Sequence, residues 1–458
     1  MERTRIVIVG GGFAGVECAR RLTRRLDSAE ADITLVTPAG YSLYLPLLPQ
    51  VAAGMLTPQS VAVSLRRVLR GTQVLPGGAI GIDTKAKNCV VRMTTGEIVD
   101  VPYDYLVLTP GSVTRTFDIP GLEDHARGMK TLAEAAYLRD HMITQLDLAA
   151  HSLDAEERAA RLRFVVVGGG YAGTETAASL QRLTAAACRR YPRLDPSQVK
   201  WHLVDIAPKL MPELGDDLGF KALTMLRRRG IEVSLGVSVA EVTAESVTFT
   251  DGRKLPCHTL IWTAGVAASP LISTFEAEKV RGRLAVTPTL EVPGAPGVFA
   301  VGDAAAVPDL ASGEGAICPP TAQHATRQGK AVADNVIAAM RDGSLRPYRH
   351  RDLGLVVDLG GTDAVSKPLG IELAGLPAQA VARGYHISAL RTNVAKVRVL
   401  TNWTLHAIAG DDFVRIGFFA QRPANLRAFE YTDAYQTPEE VRERTNRSSV
   451  VGGPFGFR

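Results

Sequence analysis

Apolar residues recur along the chain in short, mostly β-branched runs, each handing over to glycine and then to residues with helical spacing. The clearest is Phe164–Val167, followed by Gly168-Gly169-Gly170-Tyr171-Ala172-Gly173-Thr174-Glu175. Glycines spaced G-x-G-x-x-G in this setting predict a buried parallel strand turning tightly into a helix whose N-terminus can hold a pyrophosphate. The same order opens the chain, where Ile6–Val9 runs into Gly10-Gly11-Gly12-Phe13-Ala14-Gly15. Any tight strand-to-helix turn favours glycine, so one motif says little. Two, roughly a domain apart, predict two dinucleotide sites and electrons passing between them.

The remaining pattern fills in an α/β fold. The first βαβ unit is predicted from strand Ile6–Val9, a helix from about Gly12 to Leu26, and a strand over Ile33–Val36. Thr37 then stands where an acidic residue usually bonds ribose; a hydroxyl can make the same bond, and a turn holding no ligand is the plain alternative. Tyr41–Gly54, with Pro46, Leu47 and Pro49, suits neither helix nor strand, and reads either as a buried loop or as a rigid apolar wall against a flat ring. Val74–Val101 predicts short strands and turns. Tyr105–Leu108 is another apolar strand running into Gly111, where backbone can approach a ligand closely, and Leu260–Gly265 repeats that pattern. Met129–Ala150 is periodic and helical, and Ala155–Arg163 reads as a charged linker.

In the second unit the strand Trp201–Val204 ends at Asp205. A carboxylate there accepts from both ribose hydroxyls and repels a 2′-phosphate, favouring NADH over NADPH, with Lys209 as the counter-indication. Later, Gly302-Asp303 closes an apolar strand, so that the carboxylate can bond a sugar-alcohol chain while the glycine admits it. Thr321-Ala322-Gln323 opens a helix running to about Met340, whose N-terminus favours negative charge. Beyond Tyr348 a hairpin is expected over Leu353–Gly361 and Ala364-Val365, then helices over Pro377–Leu390 and Val394–Ala409. These mix Arg383, Arg391, Lys396 and Arg398 with apolar residues and Trp403, which suits a membrane interface; packing on the core or a homodimer contact are the alternatives. From Thr432 the tail turns polar and then glycine-rich, and is expected to be loosely ordered.

With 458 residues, 46% of them hydrophobic and 22% charged, the chain is expected to form two or three globular domains. Five scattered cysteines show no C-x-x-C or metal-ligand spacing, so neither a disulfide framework, a metal site nor flavin-disulfide chemistry is expected. The net charge of +5 is dispersed, which argues against nucleic-acid binding. The first strand begins almost at once, without a signal-peptide pattern, and no apolar run reaches the length of about 18 residues needed to span a bilayer. The expectation is an intracellular, non-spanning protein.

Both glycine motifs, the segment Tyr44-x-Pro46-Leu47-Leu48, the Gly111-Ser112 turn, Gly302-Asp303 and Thr321-Ala322-Gln323-x-Ala325 together resemble the type II NADH dehydrogenases, single-subunit NADH:quinone oxidoreductases that pump no protons. The resemblance runs from Arg5 to about Phe419 and implies the following. Residues 1–115 and 285–345 would bind FAD through Gly10, Gly12, Phe13, Ala14, Gly15, Thr37, Pro46, Leu47, Gly111, Gly302, Asp303, Ala322 and Gln323. Residues 116–284 would bind NADH through Gly168, Gly170, Tyr171, Ala172, Gly173, Asp205 and Gly265. Residues 346–458 would supply the membrane or dimer contact. Glu175 falls on the family's glutamate beside nicotinamide and flavin, although a solvated or dipole-complementing helix residue is the bland alternative. Gln323 falls on the quinone-site glutamine. Arg327 replaces a second glutamine, with Gln328 adjacent. The implied activity is hydride transfer from NADH to FAD and then two electrons to menaquinone or ubiquinone, at the cytoplasmic face of the membrane. The runner-up is a soluble NADH-dependent flavoprotein with a protein or small-molecule acceptor. A sulfide:quinone oxidoreductase would need paired cysteines, and only Cys318 lies near the flavin segment.

Overall fold

The computed structural model describes residues 3–350 and 353–415. Two parallel sheets organise the chain. The first has seven strands in the order Val298–Ala300, Tyr105–Leu108, Thr4–Val9, Ala31–Thr37, Gln73–Asp83, Asn88–Met93 and Ile98–Pro102. Its first five run parallel, and the last two return antiparallel as hairpins. Thr4–Val9 lies at the centre, with Ile8 between Leu35 and Val107. Strands in such a position are covered on both faces, which is why Ile6 to Val9 read as an unbroken apolar run and are at most 3% exposed. The second sheet, Ile231–Leu235, Lys200–Asp205, Arg163–Val167 and Thr259–Trp262, repeats the design around Arg163–Val167.

The chain leaves the first sheet after Gly111 and returns to it at Val298. The two crossings meet: Ser112–Thr114 pairs antiparallel with Val266–Ala268 directly after Gly111 and Gly265, both of which take positive φ. The two strand-into-glycine segments noticed in the sequence therefore form one joint between the sheets.

Several expectations change in detail. Tyr41–Gly54 is regular rather than irregular: Tyr41–Leu43 pairs with Ala62–Ser64, Leu45–Leu47 is a single 3-10 turn, and Leu48–Ala52 is helical. Pro46 and Pro49 fall in the first turns, where an absent N–H breaks no intrahelical bond, so they start helices instead of preventing them. The charged linker is a helix, Ala155–Arg161, whose first turn holds Glu156 and Glu157 and whose Glu156 N–H is capped by Asp154 at 2.8 Å. The helix expected from Met129 begins at Leu132, because Thr131 and Glu134 form a reciprocal capping box.

The C-terminal hairpin gains a third strand, giving a sheet of Val356–Asp358, Ala364–Ser366 and Leu373–Ala374. The helices Leu376–Ala389 and Asn393–Ala409 follow. The first buries Ala378, Gln379, Ala382 and His386. The second is two-faced: Ala395, Val399 and Trp403 join the core that contains Phe164 and Leu48, as does Leu390 between the helices, while Val397, Leu400, Leu405 and Ile408 are exposed. Trp403 is thus a core residue and not part of an outward stripe, since its indole N–H is bonded inside the protein. Among the described residues no helix is long and apolar enough to cross a membrane. The tail beyond Thr432 lies outside the described residues.

Candidate functional site

The two glycine loops are built alike. Gly10 and Gly168 hold φ of +107° and +115°, and a Cβ on them would lie 2.1 Å from the Thr109 carbonyl oxygen and 2.6 Å from the Thr263 hydroxyl. A Cβ on Gly15 or Gly173 would lie 1.9 or 1.8 Å from the carbonyl oxygen of the first glycine. These four are fixed by the protein's own packing. The middle glycines differ: a Cβ on Gly12 or Gly170 would meet nothing within 4 Å. Both are exposed and stand at the N-termini of helices Phe13–Arg25 and Tyr171–Cys188, which no side chain caps. Helices starting at Leu132, Ala322 and Asn393 are by contrast capped by Thr131, Thr321 and Thr392. Free N–H groups behind a residue without a side chain form a cradle that fits a dinucleotide diphosphate, twice over.

Thr37 and Asp205 occupy matching places behind Gly11 and Gly169. Thr37 is 4% exposed and its hydroxyl donates to the Ala39 carbonyl at 3.3 Å. Asp205 accepts from the Gly169 N–H and, at 2.6 Å, from the Ala207 N–H, which fixes its carboxylate at the edge of the second loop. Around the first loop, Gly302 donates its N–H to Gln328 Oε1 at 2.8 Å, and a Cβ on it would lie 3.7 Å from the methyl groups of Ala14 and Ala325. Asp303 accepts from Ser112 at 2.5 Å, and Lys130 donates to the same hydroxyl at 2.9 Å. The structure therefore gathers the first glycine loop, Gly111-Ser112, Gly302-Asp303 and the start of the Ala322–Met340 helix. Pro46 keeps some surface, but Leu47 is wholly buried and its side chain fills the core.

Glu175 lies one turn into the second motif helix, deep among core atoms yet with some surface left. Burial pushes its pKa up to about 8; the Asp358 carboxylate adds to the rise, and the Asp358 N–H, donating to Glu175 Oε1 at 2.9 Å, opposes it. Val356, at the other end of the same short strand, lines a cavity of about 270 Å³ together with Gln323, Gly354, Leu355, Leu369 and Tyr385. Gln323 donates to the Gly354 carbonyl at 2.9 Å at its edge and is also bonded to Tyr385. Arg327 donates to His350 Nδ1 at 3.0 Å and its charge reaches Tyr385. Gln328, 1% exposed, faces Gly302 and so does not replace the displaced glutamine at the cavity. Cys318 is buried and its thiol is pushed up to about 11, far from a reactive thiolate.

Residues 4–329 match the family described as pyridine nucleotide-disulphide oxidoreductase. The Mycobacterium tuberculosis type II NADH:quinone oxidoreductase Ndh is 33% identical over 421 residues, 88% of each chain. The chain belongs to the type II NADH:quinone oxidoreductases. The Staphylococcus aureus enzyme of that family is 30% identical over 380 residues, covering 82% of this chain and 92% of that one. Among solved structures, NDH2 from Plasmodium falciparum in complex with NADH superposes with a TM-score of 0.83 over 90% of this chain and 100% of that one, at 19% identity, which shows the shared fold.

Within this type II fold, three residues escaped the sequence: Tyr385, Asp358 and Gln50. Tyr385 reaches Gln323, Asp358 reaches Glu175, and Gln50 reaches Asp358. Each contact spans tens to hundreds of residues. The only local hint was Gln50 and Asp358, polar residues embedded in apolar runs; nothing in the sequence around Tyr385 marks it.

Proposed function

We propose that this chain binds FAD at the first glycine loop and NADH at the second, and reduces a quinone at the Gln323 cavity. Residues 1–115 with 285–345 make the FAD part, 116–284 the NADH part, and 346–458 the part that faces the acceptor. FAD held at the first loop would supply the two-electron chemistry that links NADH oxidation to quinone reduction. The chain's own residues hold, orient and protonate. Gly12 and Gly170 admit the two diphosphates to uncapped helix N-termini. Asp205 bonds the NADH ribose, and Asp303 with Ser112 bonds the polar chain of FAD.

Gln323 and Tyr385 offer an amide and a hydroxyl to the quinone carbonyls inside walls that are otherwise apolar. Arg327 donates beside them and can stabilise developing negative charge where the family's second glutamine would stand. Reducing a quinone to its quinol takes two electrons and two protons. NADH brings both electrons and one proton as hydride, and Glu175, protonated near neutral pH, supplies the second and regains one from solvent.

The observation that carries this reading is the short strand Val356–Asp358, which lines the Gln323 cavity at one end and binds Glu175 at the other. Exposed Leu353 and Leu369 stand at that cavity, and Ile371, Leu376, Val397, Leu400 and Ile408 are further exposed apolar side chains of the C-terminal region. These side chains support peripheral attachment at the cytoplasmic face of the membrane, where a lipid quinone enters. Steady-state NADH oxidation with and without a soluble menaquinone or ubiquinone analogue tests the reading. Turnover that depends on the quinone supports it; NADH oxidation indifferent to every quinone removes it.

A further inference from the structure

A buried cluster behind Glu175 reaches into the C-terminal helices. The Asp358 carboxylate takes two donors, Gln50 Nε2 at 3.0 Å on Oδ2 and the Gly360 N–H at 2.7 Å on Oδ1. Gln50 Oε1 in turn accepts the Trp403 indole N–H at 2.7 Å. An unbroken chain of hydrogen bonds therefore runs from the helix Asn393–Ala409, through the helix Leu48–Ala52, to Asp358, and ends on Glu175. Gln50, Asp358 and Trp403 are 6%, 7% and 8% exposed. Polar groups buried so deeply cost free energy unless every bond is made, and apolar residues would fill the space at no such cost. A satisfied network of this kind instead fixes one arrangement.

We propose that Asp358 is a positioning residue for Glu175, fixed in place by Gln50 and Trp403, so that the outer C-terminal helix determines where the Glu175 carboxyl stands and how tightly it holds its proton. The proposal rests on the reading of Glu175 as proton carrier. The main-chain N–H of Asp358 pins one oxygen of Glu175, while its side-chain charge, held close by two donors, disfavours a second charge beside it. On the far side of Asp358, Arg229 remains charged although burial lowers its pKa to about 10; it donates to the Leu359 carbonyl and attracts the Asp358 carboxylate, with Arg182, Arg228 and Asp363 beside it. On the Glu175 side the groups are neutral. Tyr44, whose hydroxyl is 3.1 Å from His386 Nδ1, is raised by burial, and His386, from the helix Leu376–Ala389, is lowered by burial to about 4. Asp358 is thus the charge that acts directly on Glu175, with Arg229 behind it.

The test is the pH profile of quinone-dependent NADH oxidation by the FAD-loaded full chain, with bound flavin measured in each sample. The variants are Asp358→Asn, Gln50→Leu and Trp403→Phe. Asp358→Asn keeps the main-chain N–H and an oxygen for Gln50 but removes the charge. Its activity should fall off at a pH lower by about one unit than in the wild type. Gln50→Leu and Trp403→Phe should move the same limb in the same direction by less. A uniform loss at every pH, or a profile that does not move, assigns the cluster to structure alone and overturns the proposal. If Asp358→Asn fails to fold or retain flavin, the Trp403→Phe profile decides. A wild type without quinone-dependent turnover removes the functional reading itself, and with it the proposal.

Discussion

The two dinucleotide loops share a backbone and differ in what covers them. Around the first, the Ala322–Met340 helix packs so closely that a Cβ on Gly329 would lie 2.3 Å from the Ala14 carbonyl oxygen. Arg391, from the turn between the C-terminal helices, bonds Ser42 at 2.8 Å and the Phe13 carbonyl at 3.1 Å, pairs with Glu17 at 3.4 Å and covers the Phe13 ring. Among the described residues the second loop has less cover: Ala172 is exposed where its counterpart Ala14 is buried, and Ile206 is 73% exposed beside Asp205. A strapped loop retains its ligand and an open one exchanges it. One turn geometry thus serves a resident FAD and a passing NADH, and the difference lies in parts of the chain remote from either motif.

Substitutions at matched positions test that contrast. The largest effects come from the third glycines, where a Cβ has no room. Gly15→Ala should leave protein with flavin content reduced at least about tenfold, whereas Gly173→Ala should stay yellow and raise the KM for NADH by about tenfold or more. Absorbance and steady-state kinetics check both, and equal flavin loss in the two would erase the distinction between the loops. Next, Asp205→Ala should raise the KM for NADH by about tenfold and narrow the preference over NADPH, with flavin content unchanged. Lys209 is already held by Asp216 at 2.7 Å, so it competes little for a 2′-phosphate.

A smaller effect is expected at the strap. Arg391→Met should speed FAD release by about three- to tenfold, followed by flavin fluorescence on dilution, without changing the KM for NADH. The smallest concerns stability. Folding raises the Glu175 pKa from 4.5 to about 8, so ionising it costs the folded state more than the unfolded one. Its contribution is therefore favourable below that window and is lost as pH rises through it. Glu175→Gln should gain a few degrees in melting temperature relative to wild type between about pH 5 and about pH 9, and a constant difference would contradict the assignment.

Much of this was legible before the fold. The parallel strands around Ile6–Val9 and Phe164–Val167, the glycine turns and the acidic strand end at Asp205 follow from local pattern, because each is a short-range steric or capping requirement. Local pattern hides the helix Leu48–Ala52, because Pro49 reads as a breaker although it sits in a first turn. In sequence Trp403 reads outward because its neighbours on the helix are basic and apolar in mixture; only the bond to Gln50, more than three hundred residues away in sequence, turns it inward. The same holds for Tyr385 and Asp358, whose partners Gln323 and Glu175 come from other units of the fold. Local periodicity carries no information about such pairings.

The most direct measurement is an anaerobic titration of the flavin-loaded protein. One equivalent of NADH should bleach the flavin absorbance, and a quinone analogue added afterwards, still without oxygen, should restore it. Flavin that NADH leaves oxidised, or that is reduced but not restored by any quinone, would contradict the account.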